Sequence, residues 1–232
     1  MKHHEMHLSR GLGALVGLLL LVLPGCGSES NPTEPVTNDG EEALFFLVAG
    51  YSNTRGVADA VNRLMEPDWF PPSDVARDGF KLMVEEPQGG SMTAYVDGAL
   101  VAQRQYEESR NKRVDAIWWQ VGIRGQEAFT PSDRQRELAH DILAELQRQW
   151  PGKTIYLSPM TPYVDHVCDI SGPGGPATSA ILVGELAADF DNVVTLPAFS
   201  ALARSQTIDG CHETNTFYRV HAQEFIDFIN GQ

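Results

Sequence analysis

Five short apolar runs recur between residues 44 and 196, and stretches with helical periodicity separate them. Leu44-Phe45-Phe46-Leu47-Val48-Ala49 ends at Gly50, and Ala116-Ile117-Trp118-Trp119-Gln120-Val121 ends at Gly122. Runs without polar alternation suit strands buried on both faces, the condition of a parallel sheet. Lys81–Val84, Thr154–Leu157 and Val193–Leu196 are the shorter candidates. A first helix is predicted from the shared face of Val57, Val61 and Leu64, with Pro67 at its end. Further helices are expected at Ala94–Arg110, along the stripe Leu138, Ile142, Leu146 and Trp150, at Ala177–Asp189, and at Phe217–Ile229. In the last of these Phe217, Val220, Phe225 and Phe228 are expected to face inward. Thr130-Pro131-Ser132-Asp133 supplies a capping hydroxyl, a first-turn proline and an early acid ahead of the Leu138 stripe. Such alternation predicts a doubly wound, three-layer α/β/α sandwich with a five-stranded parallel sheet in the flavodoxin-like order 2-1-3-4-5.

The ends of the chain differ in character. Residues 1–25 read as an export signal, with Lys2 and Arg10 ahead of an apolar stretch, Gly11 to Pro24, too short to span a bilayer comfortably. Leu23-Pro24-Gly25-Cys26 resembles the lipobox of bacterial lipoproteins, which implies that Cys26 carries lipid and anchors the chain to a membrane of the cell envelope. Secretion with cleavage nearby is the alternative. Residues 26–42 are rich in Ser, Asn, Pro, Thr, Glu and Gly and read as a flexible tether, leaving residues 43–232 as one domain. With 31 acidic residues against 17 basic ones the net charge is −14, which argues against a nucleic-acid partner. If Cys26 is lipidated, Cys168 and Cys211 remain as a pair for a disulfide in an oxidising compartment. Two separate buried thiols are the alternative, and ligands at regular metal-site spacing are missing.

Ligands of doubly wound sheets bind beyond the carboxyl ends of the strands. Ser52 follows the first run, Gly89 and Gly90 the second, Gly122-Ile123-Arg124 the third and Asp209-Gly210-Cys211-His212 the fifth. A serine hydroxyl attacks an acyl carbon only when an imidazole takes its proton, and the imidazole needs a third group to orient it. Ser52, His212 and Asp209 are the candidates for those roles. Ordinary readings compete with each: Ser52 as a helix cap, His212 as a surface residue, and His166 beside Asp165 as the rival base. His140 and His221 fall within helices and read as solvated or packed. Trp118 and Trp119 read as core rather than a sugar platform, while Tyr51 and Tyr163 are placed near the site. Thr54 stands where a GxSxG nucleophile elbow needs glycine, which excludes that motif.

In order, these blocks resemble the signatures of the SGNH hydrolases, the GDSL-like esterases and lipases. The resemblance spans Leu44 to Ile229. Gly50-Tyr51-Ser52-Asn53 looks like the first block in the Ser-Asn form of carbohydrate and sialic-acid O-acetylesterases, and Asp209-Gly210-Cys211-His212 like the Asp-x-x-His of the fifth. The resemblance implies a Ser52 nucleophile, a His212 base steadied by Asp209, and an oxyanion hole from the backbone N–H groups of Ser52 and Gly90. The third oxyanion donor is normally the asparagine of the third block, where Arg124 stands here, so Arg124, Asn53 and Gln120 are the candidates. It further implies no cofactor and a small acyl ester or acetylated carbohydrate as substrate. A catalytically weak or inactive glycan-binding lipoprotein and an acyltransferase are the other functions compatible with this pattern.

Overall fold

The computed structural model describes residues 44–66, 68–70, 83–84 and 114–231. The expected signal, Cys26, the tether, Gly89, Gly90 and the helix expected at Ala94–Arg110 lie outside the described residues.

The described residues form an α/β fold on a parallel sheet. Strand β1 (Phe46–Ala49) leads into helix α1 (Ser52–Asn62), followed by a two-residue strand β2 (Met83–Val84) and the long β3 (Ala116–Ile123). Helix α2 (Asp133–Gln149), β4 (Thr154–Pro159), α3 (Gly175–Asp189), β5 (Val193–Thr195) and α4 (Asn215–Asn230) complete the order. Side chains alternate across the sheet as strand geometry requires. Leu47, Ala49, Ile117, Trp119 and Val121 pack with Leu138, Ile142 and Leu146 of α2 and Leu182 and Leu186 of α3. Phe46, Val48 and Trp118 pack on the opposite face with Val57 and Val61 of α1 and Phe225 and Ile226 of α4. Burial on both faces explains the unbroken apolar runs. Both tryptophans are fully buried, and the Trp118 indole N–H donates to Ser158 Oγ at 2.9 Å.

The strand order corrects the expectation. Four strands run β1-β3-β4-β5, and β2 pairs with β3 at Gly122 and Ile123 instead of with β1, so the five-strand order 2-1-3-4-5 does not form. β1 stops pairing at Trp119 while β3 continues to Ile123, and the backbone groups of that overhang need partners of their own. Gly122 therefore lies inside the strand rather than ending it.

Two helix details also differ. The N-cap of α2 is Ser132, not Thr130, because Ser132 and Gln135 form a reciprocal capping box: Gln135 N–H donates to Ser132 Oγ and Ser132 N–H to Gln135 Oε1. In α4 the inward face is His221, Ala222, Phe225, Ile226 and Ile229, while Val220 is exposed and Phe217 and Phe228 are half-buried. Among the described residues no helix is long and apolar enough to cross a membrane.

Candidate active site

The backbone at the end of β1 is set by Gly50. Its φ is +153°, and a Cβ there would lie 2.3 Å from Thr54 Oγ1. Only glycine takes that conformation without strain. Thr54 Oγ1 accepts from Tyr51 N–H at 3.1 Å and donates to Gln120 Oε1 at 2.7 Å, while Gln120 Nε2 donates to Pro159 O at 3.2 Å. This buried chain braces the start of α1 against the ends of β3 and β4. It also removes Gln120 as an oxyanion donor, since both ends of its amide are used inside the protein and the residue is fully buried.

Ser52 is the first helical residue of α1, with Tyr51 in the N-cap position. Its side chain is exposed and does not cap the helix, so the ordinary role expected of a serine at this place is not the one it has. First-turn backbone N–H groups have no intrahelical acceptor and sit at the positive end of the helix dipole.

The opposing loop is arranged around Asp209. Its Oδ1 accepts from the backbone N–H groups of Cys211 at 2.9 Å and His212 at 2.8 Å, and its Oδ2 lies 2.6 Å from His212 Nδ1. A carboxylate there selects the tautomer with the proton on Nδ1, so in the neutral ring Nε2 carries the lone pair. The His212 backbone N–H, followed by the ring contact, holds the Asp209 carboxyl well below the usual aspartate range. The sign follows: a depressed folded pKa contributes stability above the ordinary range of about 4 that is lost as the pH falls through the lower folded value. The difference in melting temperature between wild type and Asp209→Asn is expected at neutral pH and should close as the pH is taken well below 4; a constant gap would show that the carboxyl titrates normally.

Asn53, one residue after Ser52, joins the two sides. Its Nδ2 donates to Cys211 O at 3.0 Å, Tyr163 Oη donates to the same carbonyl at 2.9 Å, and Tyr218 Oη donates to Asn53 Oδ1 at 3.0 Å. Asn53 is thus a buried strut between α1 and the loop, not a donor directed at substrate. Burial and the nearby Glu213 carboxylate push the Tyr163 hydroxyl up to about 12, which keeps it a donor. Cys168 and Cys211 form the expected disulfide, with Cα atoms 4.8 Å apart, tying the 160–174 segment to the same loop. Ser52 and His212 are therefore attached to adjacent, hydrogen-bonded residues on one rim, although no hydrogen bond joins their own side chains.

Other candidates fall elsewhere. His166 is enclosed, with Nδ1 2.9 Å from Asp165 Oδ1 and Nε2 3.0 Å from Gly210 O. Both ring nitrogens are occupied, so it braces the His212 loop rather than competing as base. Arg124 is exposed immediately after β3, and Gly125 and Gln126 beside it donate to Ile170 O and Ser171 O. His140 is exposed on α2.

Two contributions were not read from the sequence. Tyr218 reaches Asn53 because Gly56 faces it: a Cβ at Gly56 would lie 2.3 Å from the tyrosine ring. A glycine inside a predicted helix was the available signal for this close approach. Behind the loop, Glu213 Oε2 and His221 Nδ1 lie 2.9 Å apart with both side chains fully buried. The contact is an ion-pair distance without hydrogen-bond alignment, leaving both Glu213 oxygens and His221 Nδ1 with no hydrogen-bond partner. Burial raises the Glu213 carboxyl above its ordinary range. Among the described residues no group of three or more His, Cys, Asp or Glu is placed to hold a metal ion. No family model, curated protein or solved structure matches the chain.

Proposed function

We propose that this domain is a serine esterase of the SGNH type that removes a small acyl group, such as acetyl from a carbohydrate, without a cofactor. On this reading the chain is exported and held at a membrane by lipid on Cys26. The observation that carries it is the Asp209–His212 contact on a loop hydrogen-bonded through Cys211 O to Asn53, the neighbour of an exposed Ser52.

In the reaction Ser52 Oγ bonds to the acyl carbon as its proton passes to His212 Nε2. The oxyanion is met by the Ser52 backbone N–H at the start of α1. Collapse breaks the ester C–O bond, and the alcohol leaves with the proton from His212. Water then adds to the acyl-enzyme, its proton passes to His212 and onward to Ser52 Oγ, and the carboxylic acid is released. Asp209 steadies the imidazolium formed in each half.

Arg124 favours a second reading. A guanidinium replaces the amide donor that the third block normally provides, and loss of one such donor costs about 10²- to 10³-fold in turnover. That substitution suits a weak or inactive member that binds glycan at the envelope. Transfer of the acyl group to an acceptor other than water would use the same residues. A fluorophosphonate probe separates activity from binding alone: the esterase reading expects a covalent adduct on Ser52 that is absent in Ser52→Ala, and an unlabelled wild-type protein would favour the binding lipoprotein.

A further inference from the structure

A groove of about 520 Å³ opens beside the His212 loop, between the end of β4 and the first turns of α3. Pro159, Met160 and Pro162 form one wall, Ala177 and Ala180 of α3 another, and Phe129 stands at its mouth. The volume is that of a small-molecule site.

Its chemistry is one-sided. Among the described residues of the lining, the side chains with nitrogen or oxygen atoms are Tyr163 and His166, and both are already engaged. Tyr163 Oη is committed to Cys211 O, and the His166 ring to Asp165 and Gly210. A saccharide placed here would give up water and find no free side-chain partner for its hydroxyls, whereas a hydrocarbon has no polar group to strand. The apolar character continues outward, since Phe129 is 61% exposed and Val167 is 48% exposed.

Two residues of the groove wall are bonded to the loop that carries His212. Cys168 in its wall is bonded to Cys211, His166 in its wall is bonded to Gly210, and both partners precede His212 on the Asp209 loop. A chain lying in the groove would hold its attached ester beside the Asp209 loop.

We propose that this groove binds the hydrocarbon chain of the ester, so that preferred substrates carry an uncharged aliphatic chain in addition to the bond that is cleaved. The inference rests on the esterase reading for its catalytic consequence and narrows it: an acetylated sugar leaves the groove unused. With the small acyl group proposed above the chain belongs to the alcohol half; a chain on the acyl half would revise that part of the reading, and two series of esters distinguish them.

The full chain is assayed with p-nitrophenyl esters from acetate to decanoate and with acetate esters of straight-chain alcohols of increasing length. In one series kcat/KM should rise about three- to fourfold per added methylene until the groove is filled. Ala180→Trp, which fills the groove, should cut kcat/KM for the favoured long ester at least tenfold and leave p-nitrophenyl acetate within twofold; Ala177→Leu provides the milder version if the tryptophan variant folds poorly. Binding of N-phenyl-1-naphthylamine to the Ser52→Ala protein gives a readout independent of catalysis. Enhanced probe fluorescence that weakens in the Ala180→Trp background supports the groove even if no ester is turned over. Acetate hydrolysis with both series flat overturns the groove and leaves the esterase reading standing. Failure of the probe to bind, or binding that Ala180→Trp does not alter, also overturns it.

Discussion

Ser52→Ala is expected to lower kcat for a chromogenic acetyl ester by about 10⁴- to 10⁶-fold, with His212→Ala falling by a similar factor. Each removes one half of a single event, since an alcohol that cannot lose its proton does not attack and an imidazole without a nucleophile has nothing to activate. The double variant should therefore be no slower than either single one, because residues that act as a unit are not additive. Ser52 is exposed on the first turn of α1 and His212 is only partly buried, so both substitutions should leave the melting temperature nearly unchanged. Additive losses in the double variant would place the two residues in separate processes. Full activity in either single variant would end the serine-esterase reading.

The second large effect belongs to the disulfide. Cys168 and Cys211 are separated by 43 positions, and closing a loop of that size restricts the unfolded chain by roughly 4 kcal/mol in the chain-entropy account. Cys168→Ser with Cys211→Ser is expected to lower the melting temperature by on the order of 10 °C for a domain of this size. The bridge also ends one residue before His212. Its loss removes the covalent tie between the 160–174 segment and the Asp209 loop while Asn53 and Tyr163 still hold Cys211 O and His166 still meets Gly210 O, so kcat should fall by at most about 10²-fold. Chemical denaturation of the oxidised and double-serine proteins checks the first part, and initial rates on the same preparations check the second. Equal midpoints would show that the bridge contributes nothing to stability.

Much of the architecture was legible from local chemistry. A parallel sheet buried on both faces forces unbroken apolar runs, so β1 and β3 were identified from Leu44–Ala49 and Ala116–Val121 to within two residues at each end. The α2 cap was misplaced by two residues because Thr130-Pro131 and Ser132-x-x-Gln135 both carry start signals, and only the second closes a reciprocal pair. The inward face of α4 was misassigned at Val220 for a related reason. Apolar character alone points Val220 inward, while the packing buries His221 against Phe199, their rings 5.0 Å apart and nearly parallel. The order of β2 could not be read at all, since pairing depends on how far β3 outruns β1.

The candidate site divides in the same way. Asp209 and His212 meet because only two loop residues, Gly210 and Cys211, separate them, a local geometry already contained in Asp-x-x-His, and Ser52 was marked by its place after an apolar run and a glycine. The engagement of His166 by Gly210, the diversion of Asn53 and Gln120 into internal struts, and the apolar groove beside α3 were decided only by folding. The hydrogen bonds among these join residues at least 39 positions apart, and a pairing over such distances is set by which backbones approach in three dimensions rather than by any pattern along the chain.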